Sequence, residues 1–286
     1  MSDLDEHTIT NAVAARFSNT PDPRLKEMVQ SLVRHLHGFV RETEPTFEEW
    51  QAAIDFLTRT GHMCSNVRQE FILLSDVLGV SMLVDAINHR QPAGATETTV
   101  LGPFHVANMP VSAHGADIAS GLPGERLLVE GQVTSTEGEP VSAAVVEVWS
   151  ADEDGLYDVQ RTDLDGPALR ATFHTDHVGR FHFWTVTPSP YPIPADGPVG
   201  ELLNATARHP YRPAHIHFMI TAPGFQRLVT HIFVDGSPYL DSDAVFGVKA
   251  SLIEEFKLNA AGTAPDGRIV EQPWRHLRRS FGLKSA

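Results

Sequence analysis

The chain has 286 residues, 42% of them apolar and 20% charged, a composition that suits an ordinary soluble globular protein of about two domains. A formal charge of −14 argues against nucleic acid and anionic membrane surfaces as partners, because the long-range field repels both. The single cysteine, Cys64, excludes an internal disulfide and a Cys-rich zinc site, and no apolar run reaches the roughly 20 residues of a membrane span.

The acidic start, Met1-Ser2-Asp3-Leu4-Asp5-Glu6, lacks a signal-peptide core, so the expected location is cytoplasmic. Residues 1–92 are helical in pattern. Met28, Val29, Leu32, Val33, Leu36 and Val40 repeat at helical spacing between Leu25 and Val40. Thr46 and Glu49 form a T-x-x-E capping box ahead of Trp50, Ile54 and Leu57. A further helix is predicted from Val67 through Leu78 and on toward Ile87, and Gln91-Pro92-Ala93-Gly94 breaks the pattern.

Residues 93–125 read as a linker, and from Arg126 the pattern is strand-like. Leu127–Val133, Ala144–Trp149, Gly179–Val186, Arg212–Ile220 and Leu228–Val234 are short β-branched or aromatic runs between Gly- and Pro-rich turns. The predicted fold is therefore α+β, a helical N-terminal domain followed by an all-β sandwich catalytic domain over 126–286.

The candidate chemistry lies in that second domain. His215 and His217 are two apart on a strand, so their imidazoles share one face while Ile216, Phe218 and Ile220 take the other. Two neutral imidazoles at that spacing can grip one metal ion. The chain has only four tyrosines, and Tyr157 and Tyr191 precede this strand. A phenol, with its pKa of about 10, ionises at neutral pH only beside a strongly Lewis-acidic cation. Zinc sites draw on Cys, His, Asp and Glu, and ferrous oxygenases on two His and a carboxylate, so two phenols point to non-haem Fe(III). Each residue alone has a plainer reading as a packed side chain, and His174, His177 and His182 are left outside the set as surface or supporting residues.

Beyond these residues, several motifs resemble the intradiol ring-cleaving dioxygenases, the catechol 1,2-dioxygenase family. They are Thr99-Val100-Leu101-Gly102-Pro103-Phe104, Asp154-Gly155-Leu156-Tyr157-Asp158, Gly179-Arg180-Phe181-His182-Phe183, Tyr191-Pro192-Ile193-Pro194 and Arg212-Pro213-Ala214-His215-Ile216-His217-Phe218. The resemblance spans most of the chain. It implies Fe(III) held by Tyr157, Tyr191, His215 and His217, with Tyr191 the ligand that yields to substrate and acts as a built-in base. It places Arg212 at the active site as a fixed cation able to stabilise carbanionic character in the ring. It also implies O₂ as cosubstrate, a homodimer through the helical domain and an apolar lipid-holding tunnel there.

Within the family, Val229–Val234 and Tyr239–Lys249 are most similar to the hydroxyquinol 1,2-dioxygenase branch, which opens 1,2,4-trihydroxybenzene to maleylacetate. His231 stands where many catechol enzymes carry glutamine; it is either a donor near the iron or a polar residue on the other sheet face. Leu73 and Asp76 lie three apart on one helix, and the resemblance brings them over the substrate, where Asp76 can accept a hydrogen bond from a third ring hydroxyl. Val100, Gly102, Pro103, Ile193, Pro194 and Val245 complete the expected substrate-binding set. The competing readings are a catechol or chlorocatechol 1,2-dioxygenase, a zinc hydrolase using the H-x-H pair, and a β-sandwich binding module without metal.

Overall fold

The structure is a computed structural model and describes residues 4–66 and 68–286. Its helices are α1 (Ile9–Arg16), α2 (Pro23–Thr43), α3 (Phe47–His62), α4 (Glu70–Val77), α5 (Val80–Asn88) and α6 (Pro198–Ala205). The chain divides into two compact units between Arg59 and Thr60.

In the first unit, the chain enters α2 through Asp22, whose carboxylate accepts from the N–H groups of Arg24 and Leu25, with Pro23 at the first helical position. One face of α2 packs on α1, where Gln30 Nε2 donates to the Ala14 carbonyl at 2.9 Å and Thr10 Oγ1 meets His37 Nδ1 at 3.0 Å. The capping box forms as expected: the Thr46 N–H donates to Glu49 Oε2 at 2.8 Å and the Glu49 N–H to Thr46 Oγ1 at 3.2 Å. Most of the periodic apolar residues are nevertheless exposed, among them Leu32, Leu36, Trp50 and Ile54.

In the second unit, the helix predicted to run on toward Ile87 is two helices, α4 and α5. The chain turns at Leu78-Gly79, where Gly79 has φ +73°, a left-handed conformation that glycine adopts without the Cβ penalty. Val67, with which that prediction began, lies outside the described residues. Helix α1 lies within the region expected to be helical without having been singled out, and α6 has no counterpart in the sequence expectations.

Thirteen strands follow among the described residues. One sheet contains β1 (Arg126–Ser135), β4 (Arg180–Val186), β10 (Lys257–Asn259) and β13 (Trp274–Leu283), in the order β10-β13-β1-β4. The other contains β2 (Val145–Ser150), β3 (Arg170–His174), β7 (His215–Thr221), β8 (Leu228–Val234) and β9 (Ile253–Glu254), in the order β3-β2-β7-β8-β9. Two short ladders pair β5 (Tyr191–Pro192) with β6 (Tyr211–Arg212), and β11 (Gly262–Thr263) with β12 (Ile269–Val270). The core between the sheets takes Leu127, Val129, Phe181, Phe183 and Phe281 from the first and Val146, Val148, Phe173, Ile216, Phe218 and Ile220 from the second. This is the predicted sandwich. Strand period 2 then leaves the opposite face of β7 free for His215 and His217.

Candidate metal centre and its pocket

Three separate devices carry the four predicted ligands to one point. The first is β7, which presents His215 and His217 on the face away from the core. The second is the loop after β2. There Asp152 accepts from the N–H groups of Asp154 and Leu156, each at 2.9 Å, and from Arg161 Nη1 at 2.6 Å, which turns Tyr157 inward. Gly155, at φ +78°, lies so close to the neighbouring backbone that an added Cβ would stand 2.9 Å from that of Tyr191 and 3.0 Å from the Pro190 carbonyl oxygen. The third is the β5–β6 ladder, whose register sets Tyr191 opposite Arg212.

The phenol and imidazole atoms converge closely. Tyr157 Oη lies 3.2 Å from Tyr191 Oη and 2.9 Å from His217 Nε2. His215 Nε2 lies 3.2 Å from His217 Nε2 and 3.5 Å from Tyr191 Oη. Donor atoms about 3 Å apart are spaced as around an ion held at roughly 2 Å. All four side chains are buried, Tyr157 with no exposed surface. His215 Nδ1 is 2.7 Å from the Pro213 carbonyl, so it carries the proton and leaves the Nε2 lone pair for a ligand. Burial, and then Arg212 beside it, push the pKa of His215 well below the usual imidazole range; burial followed by His215 does the same for His217. Both rings are therefore neutral, as metal ligands must be. Burial, with Tyr191 adding to it, pushes the Tyr157 phenol well above its ordinary value. Only a highly charged cation at this point would ionise it. A buried pair of phenols with a pair of neutral imidazoles fits Fe(III).

Supporting contacts surround this point. Trp149 stacks on His217 with centroids 4.6 Å apart, and Phe104 stacks on Tyr157 at 4.3 Å. Asp158 forms a buried ion pair with Arg170, which also donates from Nη1 to the Phe104 carbonyl at 3.1 Å. That pair holds both the residue after Tyr157 and the ring covering it.

Arg212 is buried with its guanidinium turned to the site: Nη1 lies 3.2 Å from His215 Nε2 and Nη2 3.3 Å from His231 Nδ1. Burial opposes its charge, but Asp243 foremost, together with Tyr191 and Tyr157, outweighs it and holds the pKa above the usual value. Asp243 accepts from Arg212 Nε at 3.1 Å and from the Gly247 N–H at 2.9 Å. It is buried too, and the sequence reading assigned it no role. Its one sequence signal is its place in the Tyr239–Lys249 segment, which cannot say that its partner stands 31 residues away. Trp149, Phe104, Asp158 and Arg170 were missed for the same reason: their roles arise from long-range contact.

The remaining predicted residues are distributed as follows. His231 sits directly across from His217 in the β7–β8 register, on the face of the site, with ring centroids 4.2 Å apart. Together with His215 and His217 it forms a three-histidine cluster whose ligand atoms all lie within 4.8 Å of one another. The Val100 backbone faces the His231 ring. Gly102 lies against His217, where an added Cβ would stand 3.1 Å from ring Cε1. Pro103 is exposed between Gly102 and the stacked Phe104. Ile193 and Val245 are buried, while Leu73 and Pro194 are half-buried. Asp76, half-buried on α4, has its pKa raised by burial; Ser81 and Arg212 pull it down and Asp243 pushes it up, so all three lie within its electrostatic reach.

Comparison with known proteins extends this picture. A family model described as "Dioxygenase" matches residues 100–276, and one described as "Catechol dioxygenase N terminus" matches residues 22–96. A 6-chlorohydroxyquinol 1,2-dioxygenase of Cupriavidus pinatubonensis is 56% identical over 92% of this chain and 95% of its own. A hydroxyquinol 1,2-dioxygenase of Nocardioides simplex is 52% identical over 98% of this chain and 96% of its own. The crystal structure of hydroxyquinol 1,2-dioxygenase from Pseudomonas putida DLL-E4 superimposes with a TM-score of 0.94 at 48% identity, covering 98% of this chain and 99% of that one.

Proposed function

Because this chain belongs to the intradiol ring-cleaving dioxygenase family, we propose that it is a hydroxyquinol 1,2-dioxygenase. It opens 1,2,4-trihydroxybenzene between the adjacent hydroxyls, and both atoms of O₂ enter the product, maleylacetate, in the catabolism of aromatic compounds. The observation that carries the reading is the buried convergence of two phenols and two imidazoles in a chain about half identical to relatives named for hydroxyquinol substrates. Family membership sets aside the zinc-hydrolase and binding-module alternatives.

Tyr157, Tyr191, His215 and His217 are the residues that would hold non-haem Fe(III). Ferric iron bound there would supply a Lewis-acidic centre for the two adjacent hydroxyls and would activate the ring towards O₂. Tyr191 Oη takes a proton from a substrate hydroxyl as the diol binds. Arg212, fixed by Asp243, presents a guanidinium that cannot lose its charge to the developing carbanion. Ile193, Pro194, Val100, Gly102, Pro103, Val245 and Leu73 form the wall of the substrate pocket, with His231 as a polar contact beside Arg212. Asp76 accepts a hydrogen bond from the third hydroxyl, a charge-assisted contact of roughly 1.5–3 kcal/mol that catechol cannot make.

A second substrate has its own support: the relative at 56% identity is named for 6-chlorohydroxyquinol, so a chlorinated triol belongs in the same assay. Outside the site, the exposed apolar side chains of α2 and α3 support a homodimer formed through these helices, with an apolar lipid as a further occupant of that face. No helix among the described residues is long and apolar enough to cross a membrane.

The test is oxygen uptake by the iron-loaded protein with hydroxyquinol, 6-chlorohydroxyquinol and catechol, corrected for spontaneous oxidation. Preference for the triols over catechol by about one to two orders of magnitude is expected. Equal turnover of catechol keeps the family and overturns the substrate.

A further inference from the structure

Arg208 lies in the short connection between α6 and β6, far along the chain from every residue assigned to the substrate pocket except the strand it leads into. Its backbone is fixed first. Ala207 takes a left-handed turn at φ +54°, and the Arg208 N–H donates to the Leu203 carbonyl at 2.8 Å, closing the end of α6. From that anchor the guanidinium makes two separate contacts. Nη1 donates to the carbonyl of Val77, the last residue of α4, at 2.6 Å, and Nη2 donates to the carbonyl of Ala244 at 3.1 Å. Its carbon also lies 5.0 Å from the ring centre of Phe246.

These three contacts join α4 to the 243–247 loop, the two segments that carry Leu73, Asp76 and Val245 of the proposed substrate pocket. Helix α4 carries Leu73 and Asp76 and has only eight residues, so a cation on its last carbonyl satisfies an orphan acceptor and opposes the negative end of the helix dipole. The 243–247 loop carries Val245 and the carboxylate that fixes Arg212. That loop is held on its inner side by Asp243, which accepts from Arg212 and from the Val245 and Gly247 N–H groups, and on its other side by Arg208.

We propose that Arg208 is a positioning residue for substrate selection, setting the separation between Asp76 on α4 and the Asp243–Gly247 loop. The inference rests on the hydroxyquinol reading above. Arg208 itself lies at a cavity of about 420 Å³ shared with His209, Leu240 and Phe246, and it acts through the backbone carbonyls it grips. A planar fork can hold both carbonyls at once, whereas a lysine ammonium reaches one of them as a point charge. Loosening the clamp frees α4 to shift against the loop. The contact to a third hydroxyl depends on that separation, while chelation of two adjacent hydroxyls does not.

The experiment compares the iron-loaded wild type with Arg208→Lys and Arg208→Met. It measures kcat and KM for hydroxyquinol and catechol, Kd for each by anaerobic titration, and the visible spectrum. In Arg208→Met we expect kcat/KM for hydroxyquinol to fall about tenfold, mainly through KM and Kd. Catechol should change by less than about twofold, the resting spectrum should be unaltered, and Arg208→Lys should fall between. A hydroxyquinol-to-catechol ratio that stays constant overturns the proposal, including the case where both activities and the melting temperature fall together. A wild type that does not prefer hydroxyquinol overturns the substrate reading and this inference with it, and that outcome is visible before any variant is compared.

Discussion

Residues 4–59 and the β sandwich are both built from amphipathic segments, yet their apolar faces meet different fates. In α2 one side packs on α1, while Leu25, Met28, Leu32, Leu36 and Phe39 stay exposed, Phe39 at 60%. In the sandwich the alternate residues of β7 face a closed core, where Ile216, Phe218 and Ile220 have at most 1% exposure. Periodicity marks the face that gains from leaving water, but it does not supply the surface that covers it. A sheet faces a second sheet of the same chain. The helical face is left open, and it is the face that the proposed homodimer would cover.

The largest effect that sharpens this contrast belongs on the polar face of β7 and its surroundings. Replacing Tyr157 by Phe removes a ligand yet keeps the ring that stacks on Phe104. Loss of residues that merely support metal ligands lowers affinity or activity by about 10–100-fold, so a ligand should lose at least about a hundredfold. Iron content by mass spectrometry, the visible absorption band and oxygen uptake should all fall, and retention of both band and rate would remove Tyr157 from the ligand set.

On the other face of the same strand, Phe218→Ala empties part of the closed core and should cost about 3–5 kcal/mol, independent of protein concentration. Leu36→Glu tests the open helical face. It should change the stability of a single chain by no more than about 0.5 kcal/mol but weaken self-association, visible as a melting temperature that loses its concentration dependence. A large, concentration-independent loss from Leu36→Glu would mean that the chain covers this face itself.

A third way to probe the contrast is acid, because among the described residues the buried histidine cluster lies in the sandwich. Burial foremost, then neighbouring charges, hold His215, His217 and His231 neutral when folded. Unfolded, each takes a proton near pH 6.5, so below that pH the unfolded state binds more protons. Stability of the iron-free protein is therefore complete above about pH 6.5 and falls as pH drops, by up to roughly 1.4 kcal/mol per pH unit for each ring. Urea titrations at pH 7.5 and 5.5 measure this slope; an iron-free protein as stable at the lower pH would show that the rings charge freely when folded.

Much of the site was legible before folding because its signals are local. The H-x-H spacing reads directly as one strand face, the capping box at Thr46 and Glu49 closes within one turn, and β1, β2, β4, β7 and β8 follow runs of β-branched or aromatic residues. The strand β13 was not legible. Its Trp-Arg-His-Leu-Arg-Arg-Ser-Phe-Gly-Leu run is rich in cations and lacks β-branched residues, and it becomes a strand by pairing in parallel with β1, far away in the chain. Likewise the run toward Ile87 keeps its apolar character through the turn, so only Gly79 hints that two helices are present.

The sequence by itself determined the strand faces, the α+β order, the supply of phenols and imidazoles and, through its motifs, the family. These depend on residues a few positions apart, whose relative directions the backbone geometry dictates. Tertiary structure alone decided that His231 shares the face of His217, that Asp243 holds Arg212, that Arg170 secures Asp158, and that Arg208 spans Val77 and Ala244. Each of those pairings joins atoms from distant segments. Their partners are chosen by sheet register and by the demand that buried polar groups be satisfied, and neither has a local period to read.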